Sequence, residues 1–208
     1  MDLYEALEKR RTYRDYSDTE VNDEMLRRII GAAFKAPTND HLCQLEFVVI
    51  RGKKNIAKVI APLAKNMAAF KSLVSEVDES DDADKMAMFA DALPKQQKML
   101  MQSGLLIIPF FRQLTTPLLK PDEQSSLNYF ASAWCAVENM LLAATAEGLG
   151  CVFHIPVAEE AAEIKAIVNA PEGYEMTCLL TIGHPAKEAF LPRQKEIDID
   201  SRIHSGSF

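Results

Sequence analysis

Lys9, Arg10, Arg11 and Arg14 fall within six residues of a chain whose formal net charge is −7. In "RRTYRDY" (residues 10–16) Arg10, Thr12 and Arg14 alternate with Arg11, Tyr13 and Asp15. On an extended backbone, that period of two puts two guanidinium groups and a hydroxyl on one side. Forked cationic donors beside a neutral hydroxyl suit a phosphate. The same bases also follow a helical pattern, where they would stabilise its last carbonyls. Both readings stand on local evidence.

The elements that must hold this cluster are legible. Asp2 is placed to cap a first helix with Leu3, Ala6 and Leu7 at helical spacing, ending near the cluster. A second helix is expected from Asn22 or Asp23, with Met25, Leu26, Ile29, Ile30 and Ala33 as its apolar stripe, stopping before Pro37. Four runs read as strands: 45–52, 105–111, 151–155 and 177–183. Helical patterns over 56–74, 86–102, 126–147 and 159–168 separate them, and 75–84 is a dense acidic stretch read as solvated. The apolar surface of 126–147, with Phe130, Trp134, Met140 and Leu141, is wider than one face, as a central or interface helix requires. Helices grouped around about four short strands indicate an α+β chain rather than strict βαβ alternation.

Composition narrows the function. With 30 acidic against 23 basic residues and the rest of the bases scattered, the chain offers no broad face for nucleic acid. It contains no apolar run long enough to span a membrane, and a soluble cytoplasmic protein is expected. Its four cysteines, Cys43, Cys135, Cys151 and Cys178, form no C-x-x-C pair and indicate neither a disulfide framework nor a metal site. No Ser-His-Asp order stands out, and no G-x-G-x-x-G turn marks a nicotinamide-binding domain.

Five motifs in order, "RRTYRDY" (10–16), "APTND" (36–40) with Phe47, "NMLLAATAEGLGCVF" (139–153), "APEGYE" (170–175) and "LLTIGHPAKE" (179–188), resemble those of the FMN-dependent nitroreductase family. Arg10, Arg11, Thr12, Arg14 and Tyr16 fit its R-[RH]-[ST]-x-[RK]-x-[FY] segment. Ala36, Pro37, Thr38 and Phe47 fit the A-P-S turn and the strand after it. "NMLLAATAEGLGCVF" is similar to N-L-L-L-A-A-x-x-x-G-L-G-x-x-W, "APEGYE" to the P-E-G-Y turn, and "LLTIGHPAKE" to I-G-Y-P-A. The resemblance implies a nitroreductase-like α+β fold over residues 1–208, with a mostly antiparallel sheet of four to five strands flanked by helices. It also implies a long central helix at a homodimer interface with shared active sites. Residues 66–102 are the stretch long enough for a helical excursion or lid.

By the same resemblance Arg10, Arg11 and Thr12 hold the FMN phosphate and ribityl hydroxyls, and Arg14 reaches the pyrimidine edge of the flavin. A cation there favours the reduced, anionic flavin. Arg193 and Lys195, in "PRQKEIDID", complete the phosphate clamp. Pro37, Thr38, Asn39 and His41 approach the flavin from the neighbouring subunit, and His154 and Ile155 supply backbone donors near N5. The chain departs from the pattern where His41 replaces asparagine, where Cys43, Gln44 and Leu45 replace Gln-Pro-Trp, and where "FHIP" replaces a small, glycine-containing run. These changes surround the reactive ring, and Pro156 has no N–H to offer. The implied activity is ping-pong transfer from NAD(P)H through FMN to a small-molecule acceptor such as a nitroaromatic or quinone. Alternatives within the resemblance are a reductive dehalogenase, a flavin-fragmenting enzyme, or a flavin-binding protein with little turnover.

Overall fold

The computed structural model describes residues 1–65, 83–114, 120 and 122–208. The expected lid before residue 83, the end of the helix expected over 56–74 and most of the acidic stretch lie outside the described residues.

The helices are α1 (Leu3–Lys9), α2 (Asp23–Ala33), α3 (Lys53–Val59), α4 (Ala83–Gln102), α5 (Asn128–Ala146) and α6 (Ala158–Ile167). The strands are β1 (Leu45–Arg51), β2 (Leu105–Arg112), β3 (Gly150–His154), β4 (Tyr174–Met176) and β5 (Leu179–Gly183). Both expected caps form: Asp2 Oδ1 accepts the Glu5 N–H at 2.9 Å, and Asn22 Oδ1 accepts that of Met25 at 2.9 Å. At Gly52 a φ of +84° turns the chain from β1 into α3, a conformation costly for any residue with a Cβ.

The strands form one antiparallel sheet in the order β1-β2-β5-β3, with β4 also paired to β2. This is an α+β architecture, with the expected long helix present as α5. The strand expected over 177–183 begins only at Leu179, as β5, and an additional short strand, β4, precedes it, with a break between the two at Thr177 and Cys178. The break lies beside Pro109 of β2, which has no N–H for the ladder; its carbonyl accepts the Thr177 N–H at 3.0 Å.

β2 is buried on both faces, and its period of two divides the core. Leu105, Ile107 and Phe111 pack with α2 and α5, against Ile29, Val137 and Met140. Leu106, Ile108 and Phe110 pack on the opposite side with α3, α4 and α6, against Ile56, Leu100 and Ile164. Each fully buried side chain of this size contributes about 1.5–3 kcal/mol of transfer free energy. On α5, Ala133, Ala136 and Ala144 sit in the first core, while Phe130 and Trp134 are only half-buried against it. The C-terminal turns of α4 are thus part of the domain's core, through Met99 and Leu100.

Candidate functional site

The basic segment is fixed in place by the ends of β3 and β5. After α1 stops at Arg10, Thr12 bridges Cys151, and the Tyr13 N–H donates to the Cys151 carbonyl at 3.0 Å. Further on, Tyr16 bridges Pro185 and the Ser17 N–H donates to the His184 carbonyl at 2.9 Å. Two glycines allow this close crossing. A Cβ on Gly150 would lie 2.5 Å from Tyr13 Cγ, and one on Gly183 would lie 2.7 Å from Ser103 Cβ and 2.9 Å from Tyr16 Cδ1. Tyr16 is buried, and its hydroxyl donates to the Tyr13 carbonyl at 2.8 Å. The glycines of "GLG" and "TIG" therefore leave room for the segment that carries the arginines.

Arg10, Arg11, Thr12 and Arg14 line one cavity of about 130 Å³ together with Met88 of α4 and Pro192, Arg193 and Gln194 of the C-terminal segment. Within the cluster the two readings divide by residue. Arg11 serves the helix end, its Nη1 donating to the Glu8 carbonyl at 2.5 Å and the Arg10 carbonyl at 2.9 Å. Lys9 pairs with Glu5 at 2.6 Å on the surface. Arg10 makes no ion pair among the described residues and is half-buried at the cavity. Arg193 is exposed and 3.2 Å from Glu196, a contact of little energy. Lys195 is exposed and does not line the cavity.

Arg14 is committed differently. Its Nη1 lies 3.1 Å from Asp91 Oδ2, both side chains being over nine-tenths buried. Lys95, one turn beyond Asp91 on α4, bonds both Asp91, at 2.5 Å, and Asp15. Burial opposes the Lys95 charge, but the bonds to Asp15 and Asp91 hold its pKa above the ordinary lysine value.

The loop after α2 forms a separate site. Asp40, His41 and Cys43 adopt φ of 51°, 54° and 46°, the left-handed region that residues with a Cβ avoid. The strain is held by the Cys43 N–H on Thr38 Oγ1 at 3.2 Å and the Asn39 N–H on Ser132 Oγ of α5 at 2.9 Å. Thr38 and Asn39 line a cleft with Leu42, Phe111 and Tyr129, distinct from the arginine cavity. Pro37 and His41 are exposed, and the His41 imidazole makes no hydrogen bond among the described residues. At the end of β3, His154 turns towards α6: its Nε2 lies 3.6 Å from Glu160 Oε2, which also accepts the Val157 N–H at 3.0 Å. Burial lowers the His154 pKa against the opposing pull of Glu160. Ile155 is exposed, and Phe153 packs edge-on to Trp134 at 5.2 Å between centroids. Within one chain, then, neither the Thr38 loop nor the His154 ring reaches the arginine cavity.

Residues 7–184 match the model of the nitroreductase family. The chain belongs to that family. Among its relatives, a putative NADH dehydrogenase/NAD(P)H nitroreductase of Methanothermobacter thermautotrophicus is 26% identical over 206 residues, covering 98% of this chain and 86% of that one. An iodotyrosine deiodinase of Nematostella vectensis is 24% identical over 197 residues, covering 92% of this chain and 70% of its own. The crystal structure of an oxidised iodotyrosine deiodinase bound to FMN and 3-iodo-L-tyrosine superposes with a TM-score of 0.72 at 20% identity, over all of both chains. At that identity the likeness shows the fold.

In this nitroreductase-family chain, a larger opening of about 420 Å³ lies between Asp18, Arg51, Lys53 and Gln102. Its cations are already taken: Arg51 by Asp23 at 2.7 Å and Lys53 by Asp18 at 2.8 Å. The smaller cavity, where Arg10 has no ion pair among the described residues, is the better anion site. Sequence reasoning singled out neither Asp91, Lys95 nor Met88. Their spacing of three and four along α4 was a readable signal for a shared face, but it does not name the partner. Among the described residues no group of three or more His, Cys, Asp or Glu side chains is placed to hold a metal ion, and no helix is long and apolar enough to cross a membrane.

Proposed function

We propose that this chain is an FMN-dependent oxidoreductase, accepting reducing equivalents from NAD(P)H and passing them to a small acceptor such as a nitroaromatic or quinone. The observation that supports it is the Arg10 guanidinium, half-buried with no ion pair among the described residues, at a cavity that Thr12 and Arg193 also line. An uncompensated cation in that setting favours an anion, and a phosphate takes forked donors and a hydroxyl together. FMN, when bound, supplies the hydride acceptor and the electron outlet. Arg10, Thr12 and Arg193 would hold its phosphate, with Arg11 contributing less because Nη1 is engaged at the end of α1. Arg14 would present its remaining N–H groups to the flavin edge, and Lys195 would act only from the rim.

Pro37, Thr38, Asn39 and His41 would enter the site of a second copy, which is the reading that their separation from the arginines within one chain favours. The half-buried Phe130 and Trp134 on α5 suit such a homodimer. His154 and Ile155 would contribute backbone groups only, since the His154 ring faces Glu160. A cytoplasmic location belongs to the same reading, and four free cysteines fit a reducing compartment.

The test is the visible spectrum of the purified protein, followed by NAD(P)H oxidation with menadione. A yellow protein that releases FMN on denaturation and turns over supports the proposal; a colourless one that takes up no FMN refutes it. The deiodinase relative favours one second reading, reductive dehalogenation, in which an aryl C–I bond and two electrons plus a proton give C–H and iodide. Iodide release from 3-iodo-L-tyrosine by the dithionite-reduced protein distinguishes the two.

A further inference from the structure

We propose that Asp91 is a positioning residue that neutralises Arg14 and thereby sets how strongly the arginine cavity attracts negative charge. Met88, Asp91 and Lys95 recur at i, i+3 and i+7, so one face of α4 meets the basic segment. Met88 lines the cavity, Asp91 takes Arg14 Nη1 at 3.1 Å, and Lys95 ties Asp91 to Asp15. The four side chains comprise two cations and two carboxylates, so the cluster is electrically neutral although Arg14 lines the cavity.

The arrangement has a mechanical and an electrical consequence. Holding Nη1 fixes the plane of the guanidinium, while its other N–H donors have no partner among the described residues and are available at the cavity. The paired carboxylate cancels most of Arg14's field there, and burial makes the cancellation stronger than it would be on the surface. Lys95 acts in the opposite sense to Asp91, since it offsets part of the carboxylate charge that restrains Arg14. The cavity's net attraction then rests on Arg10, Arg11 and Arg193, with Arg14 as an oriented but balanced donor.

The inference rests on the flavin reading for its electrochemical part and on the cavity alone for the rest. The experiment compares Asp91→Asn, Lys95→Met and the double variant Asp15→Asn/Lys95→Met with the parent. Dissociation constants are measured for FMN by fluorescence and for inorganic phosphate by calorimetry, with the midpoint potential of bound FMN. Asp91→Asn should tighten both ligands by about three- to tenfold and raise the potential; Lys95→Met should weaken both by a similar factor and lower it. The double variant should return towards the parent. Both single variants loosen the docking of α4, so a purely structural role moves them in the same direction. Parallel changes, or none, overturn the proposal. Opposite shifts in phosphate affinity in a protein that takes no FMN would sustain the charge balance and refute the flavin reading. A parent that binds neither ligand overturns both.

Discussion

Replacing Gly150 with alanine should loosen the whole basic segment. The new Cβ would sit 2.5 Å from Tyr13 Cγ, 2.7 Å from Tyr13 Cβ and 2.8 Å from Cδ2. Carbon atoms in contact prefer about 3.5–4.0 Å, so the overlap is about 1 Å or more. Tyr13 cannot relieve it by turning its ring, because its own Cβ is among the clashing atoms. The backbone from Thr12 to Tyr16 must then lift from β3, weakening the 3.0 Å bond from the Tyr13 N–H to the Cys151 carbonyl. Overpacking costs about 1–3 kcal/mol and the lost hydrogen bond about 0.5–1.5 kcal/mol, against about 0.4–1 kcal/mol gained by stiffening the unfolded chain. The net expectation is about 0.5–4 kcal/mol of destabilisation, read as a lower urea midpoint with an unchanged slope. FMN affinity should fall roughly tenfold because the arginines move with the segment. Gly31→Ala is the control: nothing lies within 4 Å of its Cβ on α2, and it should stabilise by about 0.5–1 kcal/mol. A Gly150→Ala protein with the parent's midpoint and FMN affinity would refute the claim that this glycine leaves room for the basic segment.

Arg10→Ala should weaken FMN binding by roughly tenfold or more, the effect of losing a charge-assisted bond of about 1.5–3 kcal/mol, while Arg11→Ala should cost less affinity, in fluorescence titrations. Because burial depresses the His154 pKa, the folded state holds this proton more weakly than the unfolded state, whose value is 6.5. Stability should therefore fall as pH drops below about 6.5 and through the folded value, and thermal melts of His154→Gln should lack that part of the loss. Cys151 and Cys178, whose thiol pKa values burial pushes up to about 12, should resist a disulfide labelling reagent at neutral pH until the protein is unfolded. A homodimer with shared sites predicts twice the chain mass by sedimentation, and flavin-bound monomer would contradict it.

Local chemistry was readable in the chain itself. Asp2 and Asn22 cap because a side-chain oxygen needs only an N–H three residues on, and the strands of the core show in the β-branched and aromatic runs at 45–52 and 105–111. The arginine cluster and the glycines near 150 and 183 were visible as residue types, and the family pattern gathered Arg10, Thr12 and Arg193 before any geometry was known. β4 escaped because three residues after Pro-Glu-Gly are too few to establish an alternation. The left-handed run through Asp40, His41 and Cys43 carries no glycine to announce it, and it depends on Ser132 of α5 to hold it. Tertiary structure alone decided that Tyr13 crosses Gly150, that His154 faces Glu160 and that Arg14 meets Asp91, 77 residues away. Such pairings follow from the burial of both faces of β2, which brings α4 against the basic segment; a charge records its sign in the sequence, but its partner is fixed only when the core closes.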